Sequence, residues 1–363
     1  EAIPVAEPST STVRDVIPRI QCPGGYVARS FAEGFASPDG LAFGPEGALY
    51  VADETAGQVS RIEADGSVTP VISGLIGPEG IDFDDAGNLY VVEDVEGGRL
   101  LKVAPSGTTE ILANDLDAPE GVVWMANGTL YVTESNIQFT PDPVDWQTHV
   151  TAVPASGPPT RILSNNWYWS YAGIALGPDG HLYVTNEASG TGYHDSIFRV
   201  NPATGARTLF ASNLVTPEGL NFAAGGGFPL YVVQEDTGGG AGMLSRVEAN
   251  GTHTPLCTGF YSIEDVIKDD EGRLYVSEDS TGLVIVIEGE PPPRSKAQAV
   301  ILFIGDGMGE AQRNAARWSD AGQSGALAMD RMPTLGWSHT ASADSAGTDS
   351  AAASTALATG EKT

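Results

Sequence analysis

Two short stretches near the end of the chain carry residues fit for hydrolytic chemistry. One is Gly305-Asp306-Gly307-Met308-Gly309, which follows the continuous apolar run 299–304. Apolarity without alternation marks a strand buried on both faces, as in a parallel α/β sheet. Asp306 then projects from the carboxyl edge of that sheet, where ligands bind in such folds. The flanking glycines let backbone approach a metal or a phosphate closely. The other stretch is Thr348-Asp349-Ser350-Ala351-Ala352-Ala353, where Ser350 opens an Ala-rich helical segment. A helix N-terminus favours negative charge, whether an alkoxide or a bound phosphate. A hydroxyl so placed suits nucleophilic attack, and nearby carboxylates suit divalent cations.

A second supply of carboxylates is spread through six repeats between residues 37 and 279. Each repeat opens on a corner: Pro38-Asp39-Gly40, Pro78-Glu79-Gly80, Pro119-Glu120-Gly121, Tyr171-Ala172-Gly173, Pro217-Glu218-Gly219 and Ile263-Glu264-Asp265. A short alternating strand follows, then an Asp/Gly/Asn turn, then a Leu-Tyr-Val strand ending in polar residues. Period-two alternation on both sides of such a turn marks a hairpin of half-buried strands. Successive corners lie 40, 41, 52, 46 and 46 residues apart. Four strand signals per ~40–45 residues is the mark of a propeller blade. The long third spacing contains the insertion 138–147, a loop that either overlies a ligand face or is a plain connection.

The sixth repeat ends at 283–287 without a fourth strand, and the orphan strand 26–31 supplies it. Ring closure by strands from both ends satisfies edges that an open ring would expose. The expected organisation is an amino-terminal arm, 1–20, that packs weakly, and a six-bladed all-β propeller, 21–288. A Pro-rich linker, 289–298, and a short incomplete α/β segment, 299–363, follow. Cys22 and Cys257 flank neighbouring outer strands, so they form either one disulfide or two unpaired thiols.

In a blade the start of the first strand and the end of the second meet at one face. That brings together Asp39, Glu79, Glu120, Glu218 and Glu264, with Ala172 interrupting the set. It also brings Asp53, Glu93, Glu134, Asn186, Gln234 and Glu278. Convergent oxygens of this kind suit Ca²⁺ or another hard cation at the channel, or remain solvated acidic loops. His181 and His194 are the histidines nearest this face by sequence.

The charge balance sets further bounds. Against 47 Asp+Glu stand 18 Lys+Arg, a net charge of −29. Such a chain repels nucleic acid and anionic membrane. No run approaches the ~20 apolar residues of a membrane helix. Glu1-Ala2-Ile3-Pro4 reads as a processed start, and the cysteine pair fits an exported protein.

The stretch from residue 297 onward, with its Gly-Asp306-Gly and Asp349-Ser350-Ala351 motifs, resembles the amino-terminal portion of an alkaline phosphatase. The resemblance implies zinc and magnesium as cofactors, with Asp306 and Asp349 among the metal ligands and Asp306 shared between zinc and magnesium. It also implies Ser350 as a nucleophile that becomes phosphoserine, and a phosphomonoester as substrate. The family's remaining ligands and its phosphate-clamping Arg lie further on than Thr363, so the segment as written is expected to be truncated and inactive. The repeats resemble the six-bladed propellers of the SMP-30/gluconolactonase, paraoxonase and NHL-repeat group. Two other readings follow: a binding or self-assembly module forming homo-oligomers through blade edges or tail, and a metal-dependent lactonase or esterase on the acidic face.

Overall fold

The computed structural model describes residues 15–289 except 136–146, 167–169, 188–194, 224–226 and 236–241. The chain divides into two units, Glu1–Pro291 and Pro292–Thr363. Every described residue belongs to the first. The expected α/β segment, with Asp306, Asp349 and Ser350, lies outside the described residues.

Six four-stranded antiparallel sheets make a six-bladed β-propeller. Blade 1 is β2 (Pro38–Phe43) to β5 (Val68–Ser73), and blade 2 is β6 (Pro78–Phe83) to β9 (Thr109–Asp117). Blade 3 is β10 (Pro119–Trp124) to β13 (Thr160–Asn166), and blade 4 is β14 (Tyr171–Leu176) to β17 (Arg207–Ser212). Blade 5 is β18 (Pro217–Ala223) to β21 (His253–Phe260). Blade 6 takes β22 (Ile263–Lys268), β23 (Leu274–Glu278) and β24 (Leu283–Gly289) from the end of the unit and β1 (Tyr26–Glu33) from its start. β1 pairs antiparallel with β24 from Tyr26–Gly289 to Glu33–Leu283, so the ring closes as the repeat arithmetic requires.

Leu-Tyr-Val recurs in the second strands because both faces of a blade are covered by its neighbours. Six apolar clusters fill the six seams, one between each pair of adjacent blades. Leu and Val of the motif face one seam and Tyr the other, as a period of two dictates. The tyrosine hydroxyls then reach the hairpin turns: Tyr50 to Glu46, Tyr90 to Asp84, Tyr183 to Asp179 and Tyr275 to Asp269. A buried Tyr needs such an acceptor for its O–H.

The corner glycines let the inner strands crowd the axis. A Cβ on Gly40 would stand 2.3 Å from the Glu79 carbonyl oxygen, and one on Gly80 2.4 Å from that of Glu120. Blade 6 departs from the pattern, because Asp265 replaces the glycine. Its carboxylate turns across the closing seam and accepts from Leu41 N at 2.9 Å.

Every outer strand carries an extra residue at the same level opposite the third strand, namely Phe31, Val71, Leu112, Ile162, Phe210 and Leu256, and the pairs in blades 2 and 5 shift register again further along. Such bulges twist an edge and interrupt its ladder.

The amino-terminal arm is tighter than its composition suggests. Ile17 N donates to Ala28 O, and Gln21 and Thr258 exchange backbone hydrogen bonds. The segment thus crosses from blade 6 to blade 5, and Ile20 is buried in their seam. Cys22 and Cys257 form a disulfide at a Cα separation of 4.2 Å. The weak packing expected for 1–20 does not hold for residues 15–20, and residues 1–14 lie outside the described residues. The sequence of 15–20 lacks periodicity because its partners are two separate strand edges rather than one face.

Candidate functional site: an acidic channel mouth

The channel holds a cavity of about 420 Å³ lined by Asp39, Glu79, Glu120, Glu218 and Glu264, with Ala172 in the blade-4 position. Each side chain stands at the start of an inner strand and is half-buried. Except beside Glu264, where Asp265 follows, a corner glycine next to it permits the close approach of the neighbouring inner strand. The first set predicted from the corners is thus brought together.

The second set is not. Asp53, Glu93, Glu134, Asn186, Gln234 and Glu278 are all at most 2% exposed and do not line the channel. Five of them hold the loop that enters their own blade. Asp53 accepts from Ala36 N and Ser37 N, Glu93 from Ile76 N, and Glu134 from Asp117 N. Gln234 accepts from Val215 N and Glu278 from Tyr261 N. The loop facing Asn186 lies partly outside the described residues. Buried carboxylates also need countercharge: Arg99 serves Glu93, Arg161 serves Glu134, and Arg19 of the arm serves Glu278. These five residues have the geometry of loop anchors rather than of metal ligands.

The acidic residues that couple electrostatically to the corner carboxylates are instead one position further on: Glu54, Asp94, Glu187, Glu235 and Asp279. Glu54, Asp94, Ser135, Glu187, Glu235 and Asp279 each donate a backbone N–H to the carbonyl just before the corner of their own blade, at 2.7–3.0 Å. Successive strand residues point to opposite faces, so each side chain leaves the strand on the side opposite its predecessor's. The signal was present in the acidic doublets Asp53-Glu54, Glu93-Asp94 and Glu278-Asp279. The strand phase decides which member of each doublet couples to the corner carboxylates.

The electrostatics confirm that the two tiers feel each other. Burial, and then Glu264, hold the Asp39 carboxyl well above the usual range. Burial followed by Asp39 and Asp94 does the same for Glu79, and burial followed by Asp94 and Glu187 for Glu120. Glu218 is raised by burial and then by Glu187. Glu264 is pushed to about 8 by burial, Glu235 and Asp279. Glu187 is pushed to about 6 by burial, against a hydrogen bond with Glu218 that lowers it. Crowded carboxylates titrate late because the charged form is disfavoured twice, by lost water and by like charge. At one point they converge tightly: one oxygen each of Glu187, Glu218 and Glu235 lie within 4.8 Å of one another. Of the two histidines singled out, His181 bonds Asp179 and Arg199 at the hairpin turn between β14 and β15, and His194 lies outside the described residues.

Comparison with known proteins divides along the same line as the chain. Residues 297–363 match the family model for alkaline phosphatase. Streptomycin-6-phosphate phosphatase from Streptomyces griseus is 49% identical over 72 residues, 18% of this chain and 16% of that protein. The chain thus matches under a fifth of the length of this curated relative. The propeller is similar to a gluconolactonase from Xanthomonas campestris, with a TM-score of 0.61 and 17% identity over 73% of this chain and 90% of that one. It is also similar to the calcium structure of a Trichoderma reesei carbohydrate-active enzyme of family AA12. That match has a TM-score of 0.57 and 14% identity, and covers 77% of this chain and 99% of the other. At such identities these structures establish the fold alone.

Proposed function

We propose that this chain joins a six-bladed propeller to an alkaline-phosphatase-type phosphomonoesterase segment in which Ser350 is the nucleophile. The observation that carries this reading is the match of residues 297–363, with 49% identity to a phosphatase over 72 residues. In the reaction the Ser350 hydroxyl oxygen takes the phosphoryl group, the alcohol departs, and water later releases phosphate. The disulfide agrees with an exported protein, and no helix among the described residues is long and apolar enough to cross a membrane.

Asp306, Asp349 and Ser350 offer oxygen donors suited to zinc and magnesium. A metal bound beside Ser350 would lower its hydroxyl pKa and shield phosphate charge. Two carboxylates and a hydroxyl fall short of the roughly four ligands each zinc takes, so no step is derived through a metal. Residues 1–363 by themselves are therefore expected to release no phosphate from p-nitrophenyl phosphate, with or without Zn²⁺ and Mg²⁺. Phosphate release by any protein in which residues 297–363 are joined to His and carboxylate ligands should be lost on Ser350→Ala. Turnover that survives Ser350→Ala would remove the reading.

A second reading concerns the propeller. The convergence of Glu187, Glu218 and Glu235 supports a hard-cation site at the channel mouth, for which Ca²⁺ is the fitting ion. The expected result is a pH-dependent gain in melting temperature. Carboxyls whose folded pKa is raised bind protons better in the native state, so stability falls as pH rises through the folded value. In EDTA the loss should run from about pH 5 to about pH 8, the span set by Glu187 and Glu264. Ca²⁺ should remove most of it, and Glu187→Gln with Glu235→Gln should abolish the response to Ca²⁺. Identical melting curves in Ca²⁺ and EDTA across that range would exclude the site.

A further inference from the structure

Away from the channel, blade 3 carries a serine, a histidine and an aspartate in a chain. His149 lies in β12 (Gln147–Val153), the third strand, and is 4% exposed. Its Nδ1 stands 2.9 Å from the hydroxyl of Ser164, its register partner on the outer strand β13. Its Nε2 stands 3.4 Å from Asp117 Oδ2, at the end of blade 2's outer strand. Nε2 is buried and finds no aligned hydrogen-bond acceptor among the described residues. Asp117 is held in place by Arg161 Nη2 at 2.6 Å, and Arg161 also reaches Glu134. Ser164 is exposed.

The repeat supplies its own controls. The same register places Ser73 opposite Gln58 in blade 1 and Ser212 opposite Ser196 in blade 4. Those third-strand residues in turn face Asp53 and Asn186, as His149 faces Glu134. Serine is therefore an ordinary occupant of this outer position. Only blade 3, among these three, sets a base against it.

We propose that Ser164 is a nucleophile toward acyl esters with good leaving groups, with His149 as its general base and Asp117 as the group that orients the imidazole. The order Ser–His–Asp, with the base in contact with both partners, is the recognisable geometry of an activated hydroxyl. Catalytic contacts of this kind are often long and poorly aligned before substrate binds. Burial first, and Arg161 second, hold the imidazole below its usual pKa. It is thus neutral at pH 7 and able to accept a proton. In the step, Ser164 Oγ bonds to the carbonyl carbon while its proton passes to Nδ1. The bond to the leaving oxygen breaks, and that oxygen takes the proton from Nδ1. Water, deprotonated by the same nitrogen, then releases the acid and restores the serine. Ser164 is exposed on an outer strand, so leaving-group reactivity rather than pocket shape sets the substrate class.

The test is labelling of the whole chain by a fluorophosphonate probe at pH 7, with the modified serines mapped by peptide mass spectrometry. This separates Ser164 from Ser350. General-base assistance is expected to make Ser164 react about 100-fold faster than Ser73 and Ser212 in the same sample. His149→Gln copies the Gln58–Ser73 pair of blade 1 and should bring Ser164 down to the Ser73 rate. Hydrolysis of p-nitrophenyl acetate should fall in parallel, and Ser164→Ala should remove both signals. Should His149→Gln fail to fold, the ratio of Ser164 to Ser73 labelling in the unmodified protein decides the question alone. Equal labelling of the three serines would overturn the proposal.

Discussion

Removal of residues 15–33 is expected to abolish the cooperative unfolding of the propeller. The deletion takes away β1, leaving blade 6 with three strands and β24 with an unpaired edge. It also uncovers the seams into which Ile20 and Phe31 are packed. Two large apolar side chains account for about 3–6 kcal/mol, and the disulfide that spans 235 residues for about 2–5 kcal/mol more. Arg19 is lost too, which strands Glu278, a carboxylate with no exposure, without its cation. Breaking a buried pair from one side costs about 3–5 kcal/mol. Together these approach the whole stability of a typical domain, about 5–15 kcal/mol. The milder variant Cys22→Ser with Cys257→Ser keeps the strand and should melt lower yet cooperatively. Circular dichroism melts of both variants check the claim. A deletion variant that still unfolds in one sharp transition near the parent temperature would show that β1 does not close the ring.

Gly80→Ala should cost about 3 kcal/mol or more, an unusually large effect for one added methyl group. The new Cβ would lie 2.4 Å from the Glu120 carbonyl oxygen and 2.8 Å from the Gly121 Cα. Both are backbone atoms of the next inner strand, which is itself pressed on its neighbour at Gly121. No side chain can rotate away to make room, so the whole inner ring must expand. Gly227→Ala is the control, since a Cβ there meets nothing within 4 Å and needs no unusual φ. Denaturant midpoints for the two variants measure the difference. Equal midpoints would mean that the inner strands are looser than drawn.

Much of the fold was legible because the repeat is periodic at two scales. Alternation within Leu-Tyr-Val marks a strand, and recurrence of the Pro-acid-Gly corner counts the blades. The missing fourth strand after residue 287 pointed to residues 26–31, and the ladder from Tyr26 to Glu33 lies there. Of the candidate residues at the ring, the corner set was legible as lining the channel, and the set at the ends of the second strands was not. Asp53 and Glu54 are adjacent and acidic, and composition cannot tell them apart. One accepts from the amides of the entering loop, while the other donates its backbone N–H to Ser37 O and couples to the corner carboxylate Asp39. That choice depends on where the strand ends, which is a property of the loop seventeen residues earlier. The arm was illegible for a related reason, since the partners of Arg19, namely Gly259 O, the Tyr261 ring and Glu278, all lie far along the chain. The His149–Ser164 contact is a cross-strand pairing whose register a bulge shifts, so no local spacing announces it.

The bulged outer strands bear on the reading of the chain as a self-assembling module. Each outer strand is interrupted at the same level, and those of blades 5 and 6 are also partly covered by residues 15–21, which disfavours strand addition by a second copy along a blade.

The closing blade also sets an order on biosynthesis. β1 leaves the ribosome first, but its partner β24 is among the last strands of the unit to emerge. Five blades can fold while the nascent chain grows, and the first strand must wait, with its apolar residues open to chaperones or to wrong partners. The cysteines follow the same schedule. Among residues 1–363 the cysteines are two, so within this stretch Cys22 can pair only with Cys257 while it waits.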